Sequence, residues 1–216
     1  MRMSYRALAR LLCYPSAGLR GALPEIRAAL NAESRLTPKR RSAIDALFKD
    51  LSSGDELEIE ASYVQTFDRG RAQSLHLFEH VHGDSRDRGQ AMVDLAATYA
   101  QAGMHLEGGE LPDFLPIALE FASTQPDATA DAFVAEFAHI LNLIHSALAR
   151  HGSRYAAVLA AIIEIAGEDL DAAAVEPEQP LDVLWEEPVA FDGCSTSARP
   201  RDGVQPIHFH HQGASS

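Results

Sequence analysis

Apolar residues recur at helical spacing from residue 4 to residue 166 of this chain, and nowhere do they alternate as a half-buried strand would. That pattern excludes sheet-based folds and predicts an all-α protein, a single helical-bundle domain. Tyr5, Leu8, Leu11 and Leu12 form the first stripe, with Ser4 as its expected N-cap and Pro15 just past its end. A second stretch runs over about 17–31 and is interrupted near Pro24. Thr37-Pro38 pairs a capping hydroxyl with a proline suited to the first helical position, and Ile44, Leu47, Phe48 and Leu51 follow, with Gly54 as the stop. Asp55, Glu56 and Glu58 suit the positive start of a fourth helix, expected to carry Leu57, Ala61, Val64 and Phe67 on one face. Met92, Leu95, Ala96 and Tyr99 mark another helix, which ends at Gly103. Asp113 reads as the cap of the next, with Pro116 in its first turn. One long helix is expected after Pro126, carrying Phe133, Phe137, Ile140, Leu141, Ile144 and Leu148, and a last one from Ser153 to Gly167.

The composition changes after Gly167. Five of the eleven prolines fall in residues 167–216, among acidic, Ser and Gly residues with little periodicity. The expected organisation is therefore a helical domain over 1–166 and an acidic, proline-rich, mostly disordered tail over 167–216, with Val183-Leu184-Trp185 as its one apolar cluster. No run of about 18 apolar residues is present to span a membrane. Arg2, Arg6 and Arg10 break up the residues before Cys13, so a lipoprotein signal is not expected there. Two cysteines, Cys13 and Cys194, are too few for a disulfide framework, and the expected location is the cytoplasm. The net charge of −13 argues against a nucleic-acid partner. It is unevenly spread: +7 over residues 1–49, −12 over 50–166 and −8 over 167–216. The middle of the chain would attract a basic partner, although solvated helix faces are the simpler account of such acidity.

Residues 69–83 break the helical period while staying apolar and histidine-rich. Within them His76-Leu77-Phe78-Glu79-His80 has the H-x-x-E-H spacing of inverted zinc proteases, in which two imidazoles one helical turn apart bind zinc and the glutamate activates water. A zinc hydrolase would need a third ligand and a helix here. The alternative is that Leu75, Leu77 and Phe78 pack while the histidines hydrogen-bond or face solvent. His208, His210 and His211 near the end of the chain suggest only adventitious metal binding. Arg86-Asp87-Arg88-Gly89 reads either as a solvated helix start, with Asp84 or Ser85 as cap, or as a polar loop that holds a partner.

The run Tyr63-Val64-Gln65-Thr66-Phe67-Asp68-Arg69-Gly70-Arg71 and the run from Ser74 to Met92 resemble the nitrate reductase assembly chaperones. This is the molybdenum cofactor assembly chaperone, or delta subunit, family within the redox-enzyme maturation chaperones. Leu11-Leu12-Cys13-Tyr14-Pro15 and the run Leu111 to Phe121 add to the likeness, which covers about residues 5–166. The resemblance implies an all-helical chaperone that is not an enzyme and holds no cofactor or metal of its own. Its partner would be the catalytic alpha subunit of respiratory nitrate reductase, bound before molybdenum cofactor insertion and membrane attachment, with the N-terminal segment of that subunit recognised. Carried over residue by residue, the client-binding candidates are Tyr63, Phe67, Asp68, Arg69, Gly70, Leu75, His76, Leu77, Phe78, Glu79, His80, His82, Gly83, Asp84, Arg86, Asp87 and Arg88. Some would touch client and others would shape the loop: Arg69, Arg86 and Arg88 could pair with Asp68, Glu79, Asp84 or Asp87, and Gly70 and Gly83 could act as hinges. Residues 69–89 are expected to present exposed apolar side chains beside charged ones. A generic helical adaptor for another partner is the remaining alternative.

Overall fold

The computed structural model describes residues 3–68, 70–82, 86–106 and 109–171. Among them are eleven α-helices and one 3-10 turn, and no strand. The helices are α1 (Met3–Leu11), α2 (Ala17–Gly21), α3 (Leu23–Glu33), α4 (Pro38–Ser53), α5 (Glu56–Phe67), α6 (Leu77–Val81), α7 (Asp87–Gln101), α8 (Leu115–Thr124), α9 (Asp127–Ala135), α10 (Ala138–Arg150) and α11 (Ala156–Ala166). The all-α expectation holds for the described residues. The tail from residue 172 onward, with Val183-Leu184-Trp185 and the terminal histidines, lies outside them.

The centre of the fold is α11, which buries Val158, Leu159, Ala160, Ala161, Ile162, Ile163 and Ile165. It packs against α10, α9, α4 and α1, and α1 in turn packs against α8 and α3. Its apolar residues cover nearly its whole circumference, as expected of a helix enclosed on all sides. Polar side chains join the surrounding helices to it. Glu164 accepts from the Thr37 amide (2.7 Å) and from Arg40 Nε (3.1 Å), so α11 helps to cap α4. A second, smaller cluster holds Leu95, Tyr99, Ile117 and Phe121, with Phe78, Phe114 and Phe133 between it and the main core.

Several local expectations are corrected. Ser4 lies inside α1, where its hydroxyl donates to Glu33 (2.5 Å) in place of capping the helix. The long helix after Pro126 is two, α9 and α10, bent by 64°. Both halves reach the main core, α9 through Ala130 and Val134 and α10 through Ile140, Leu141, Ile144 and Leu148, and Phe133 also packs on the second cluster. Gly167 does end α11, in the left-handed conformation (φ 82°) that favours glycine. The chain still holds to the body beyond it: Asn142 donates to the Asp169 carbonyl (3.2 Å) and accepts from the Asp171 amide (3.0 Å). Among the described residues no single helix is long and apolar enough to cross a membrane.

Candidate functional site

The segment that breaks the helical period is anchored by a carboxylate from elsewhere in the chain. Arg71–Gln73 makes a 3-10 turn, and the chain then passes through an extended residue, His76 (φ −87°, ψ 105°), into α6. His76 bridges to Phe114, the Leu77 amide donates to the Asp113 carbonyl (3.0 Å) and the Leu115 amide to the Leu75 carbonyl (2.8 Å). Leu75 and Leu77, on either side of the bridge residue, both enter the core, and His76 between them is half-buried. Asp113 itself is 0% exposed. Its carboxylate accepts from the Phe78 amide (3.1 Å), which caps α6, and pairs with His76 Nδ1 (3.2 Å). Arg88 reaches it at 3.8 Å and Glu79 at 3.4 Å. A buried carboxylate is tolerated only when paired and hydrogen-bonded in this way. The Asp113 hydrogen bond raises the His76 pKa above its ordinary value, against the opposing effects of burial and of Arg88.

The rest of the turn is tied down as well. Arg71 donates to the Glu79 carbonyl through Nη2 (2.7 Å) and Nε (3.2 Å). His80 Nε2 lies 2.9 Å from the Ser74 carbonyl, an acceptor only, so that nitrogen carries the proton. Burial lowers the His80 pKa and favours the neutral ring. The zinc pattern is therefore not realised as a helical pair: His76 precedes α6, and the two rings are held by different partners. Among the described residues no group of three or more His, Cys, Asp or Glu is arranged to hold a metal ion.

The carried-over residues divide by environment. Tyr63 and Phe67 are buried in an aromatic group with Tyr155, and the Tyr63 hydroxyl donates to the Leu12 carbonyl (2.7 Å). Leu75 and Leu77 are core residues, which corrects the expectation that the apolar side chains of 69–89 stand exposed. The reason is the pairing with 113–115, which lays them under the sheet-like bridge. Phe78 is half-buried against both clusters, and Val81 is exposed. Glu79, His80, His82, Arg88 and Gly70 are half-buried, and Asp68, Arg86 and Asp87 exposed. Of the expected charge pairs, Arg88 with Glu79 is present. Gly70 has extended backbone (φ −143°, ψ 135°) open to any residue, so its conformation does not require glycine. Arg69, Gly83 and Asp84 lie outside the described residues.

Asp113 was legible only as a helix cap. It does cap a helix, but α6 and not the adjacent α8. The expected stripe on α5 is split, since of Leu57, Ala61, Val64 and Phe67 only Phe67 turns inward. Ile59, Tyr63 and Phe67 face inward, while Leu57, Ala61 and Val64 point to solvent. The two tyrosine and phenylalanine rings bury more area than the aliphatic stripe would, and the Tyr63 hydroxyl finds a partner only when turned inward.

Fold and site together define a helical protein in which a buried aspartate and two core leucines hold the motif turn against the body. The family model described as "Nitrate reductase delta subunit" matches residues 15–161, and the chain belongs to that family. It is 40% identical over 205 residues to the nitrate reductase molybdenum cofactor assembly chaperone NarJ of Escherichia coli (strain K12), covering 88% of this chain and 87% of that one. It is 42% identical over 141 residues to the probable assembly chaperone NarW of the same organism, covering 61% of each chain. To the probable NarJ of Bacillus subtilis (strain 168) it is 30% identical over 158 residues, covering 73% of this chain and 85% of that one. The family is one of assembly chaperones, not of enzymes.

Proposed function

We propose that this chain is an assembly chaperone for a nitrate reductase. It binds the catalytic alpha subunit of respiratory nitrate reductase before that subunit holds its molybdenum cofactor. It keeps the subunit open to cofactor insertion and delays membrane attachment. The observation that carries this reading is the 40% identity over 88% of the chain to a nitrate reductase molybdenum cofactor assembly chaperone. The site's construction agrees with it: Leu75, Leu77 and Asp113 anchor the turn on the core, and Val81, Arg86, Asp87 and the half-buried His82 and Arg88 lie at the surface beside it. The acidic stretch over 50–166 favours a basic N-terminal segment of the client. Such binding belongs in the cytoplasm, where the client is synthesised, and involves no nucleic acid.

The test is co-purification of the tagged chain from cells grown anaerobically on nitrate, with partners identified by mass spectrometry. The alpha subunit should be recovered without its molybdenum cofactor. Recovery of the cofactor-loaded subunit alone, or of none, would refute the reading. Binding should weaken without vanishing between 0.1 and 1 M salt, because the screening length falls from about 10 Å to about 3 Å while apolar contacts persist.

A further inference from the structure

Three of the basic residues behind the +7 balance of residues 1–49 line one groove: Arg20, Arg27 and Lys49. Helix α3 packs on α1 and α4 packs on α11, and between α3 and α4 lies an open space of about 680 Å³. Leu23 and Phe48, both buried, give it an apolar lining, and Asp45 is its one acidic member. The volume would suit a small ligand, but the groove is open along one side, and the Arg27 and Asp45 side chains on it are 50% and 44% exposed. An apolar centre with a wet, charged rim is the form of a protein interface more than of an enclosed small-molecule site.

The charges on the groove are unequally matched. Arg27 is set in position: its Nε (2.9 Å) and Nη2 (2.5 Å) both donate to Asp45 Oδ1, and its guanidinium lies 5.3 Å from the centre of the Phe48 ring. Asp45 offsets that charge. Arg20 and Lys49 carry the surplus. Arg20 pairs with Glu56 through Nη2, but its Nε is buried with no hydrogen-bond partner. Lys49 is exposed and has no ion pair among the described residues. A buried cationic N–H without an acceptor is costly to keep, and an incoming carboxylate supplies one. The chain as a whole carries −13, so an acidic partner meets net repulsion from it and local attraction here. That contrast fixes where such a partner can dock.

We propose that the α3–α4 groove docks an acidic segment of a partner protein, with one aromatic or aliphatic side chain entering against Leu23 and Phe48 and flanking carboxylates meeting Arg20 and Lys49. Clusters of basic side chains are a recurring device for reading acidic motifs, and Arg beside an aromatic ring is typical of interface centres. The groove lies on other elements than the 70–88 turn, and its sign is opposite to that of the stretch expected to attract a basic client. On the reading above, an assembly chaperone would then hold its client and a second, acidic protein together. The groove itself does not rest on that reading.

The probe is a synthetic ten-residue peptide of glutamate and serine around one central tryptophan, titrated calorimetrically into the full chain. The wild-type chain should bind it, and should bind at least tenfold more weakly the peptide in which serine replaces the tryptophan. Lys49→Glu should weaken binding of the tryptophan peptide tenfold or more with an unchanged melting temperature, and Lys49→Arg should bind as wild type does. Lys39→Glu is the charge control. It alters the net charge equally, but Lys39 is exposed at the start of the same helix, about 15 Å along its axis from Lys49 and not on the groove. Its affinity should stay within twofold of wild type. Absence of binding to the wild-type chain would overturn the proposal, as would equal affinity for the two peptides. Equal losses in Lys39→Glu and Lys49→Glu would overturn it too, by reducing the effect to diffuse charge. Displacement of the peptide by an equal concentration of inorganic phosphate would make the groove a small-anion site instead. A wild-type dimer that Lys49→Glu dissociates would give it to a second copy of the chain, and either result sinks the acidic-partner assignment.

Discussion

Helices α7 and α11 are of similar length and make opposite use of it. Of the eleven residues of α11 seven are buried, all apolar, and the helix packs against α10, α9, α4 and α1. Of the fifteen residues of α7 only Leu95 and Tyr99 are buried, and Val93 stands exposed. What α7 lacks in apolar burial is made up by directed polar contacts around it. The Tyr99 hydroxyl donates to the Pro112 carbonyl (2.9 Å), and Arg88, in its first turn, reaches Glu79 and Asp113. The central helix is held by area and packing, which are non-directional. The edge helix is held by a few hydrogen bonds whose geometry must be right. Elements of the second kind sit at the low-stability end of a protein, where local opening precedes global unfolding. The later part of the family motif, Asp87 to Met92, lies on that edge.

The contrast can be broken at its stronger end first. Ile162→Ala, in the middle of α11, should cost about 2–5 kcal/mol of global stability in denaturant unfolding, through lost transfer energy and a cavity enclosed by helices. A loss under about 1 kcal/mol would mean that α11 is not the organising element.

Asp113→Ala should cost less overall, about 1–3 kcal/mol, because it leaves the Phe78 amide and Arg88 without their buried acceptor. Its effect should be local. Amide exchange over residues 74–82 and in α7 should quicken while that of α11 holds. Uniform quickening in both helices would erase the distinction drawn between them.

The smallest effect concerns pH and sharpens the same edge. His76 faces Asp113 and Glu79, which raise its pKa above 6.5, and Arg88 and burial, which oppose them. A raised pKa in the folded state contributes stability that is fully present below the unfolded value and is lost as pH rises through the folded one. The gap in stability between wild type and His76→Gln should therefore be widest below pH 6.5 and close as pH increases. His80 works in the other direction, since burial lowers its pKa, and its contribution is lost as pH falls. Comparing His76→Gln with wild type leaves the His80 term in both proteins and isolates the Asp113 pair. A gap that widens with rising pH would show that His76 is not held as an imidazolium.

Much of this was open to inspection in the chain itself. Thr37 and Asp55 cap α4 and α5 as their positions require, Gly54 and Gly167 follow helix ends, and the apolar spacing placed α1, α4, α7 and α11. These features act within one turn of the backbone, where residue identity decides the outcome. The motif from Tyr63 to Met92 and its family were legible for the same reason, as an order of residues. What spacing could not reveal was which of two stripes on α5 turns inward. Both are apolar and both helical; the choice depends on Tyr155 and the Leu12 carbonyl, which are distant in sequence. Nor could it show that Asp113 crosses to α6, that Leu75 and Leu77 are core, or that one apolar run after Pro126 bends by 64° to serve two clusters. Local propensity determined that helices form and where they stop. Only the packing of distant segments, by removing particular faces from water and supplying a partner for each buried polar group, decided which side chains were left outside to meet another protein.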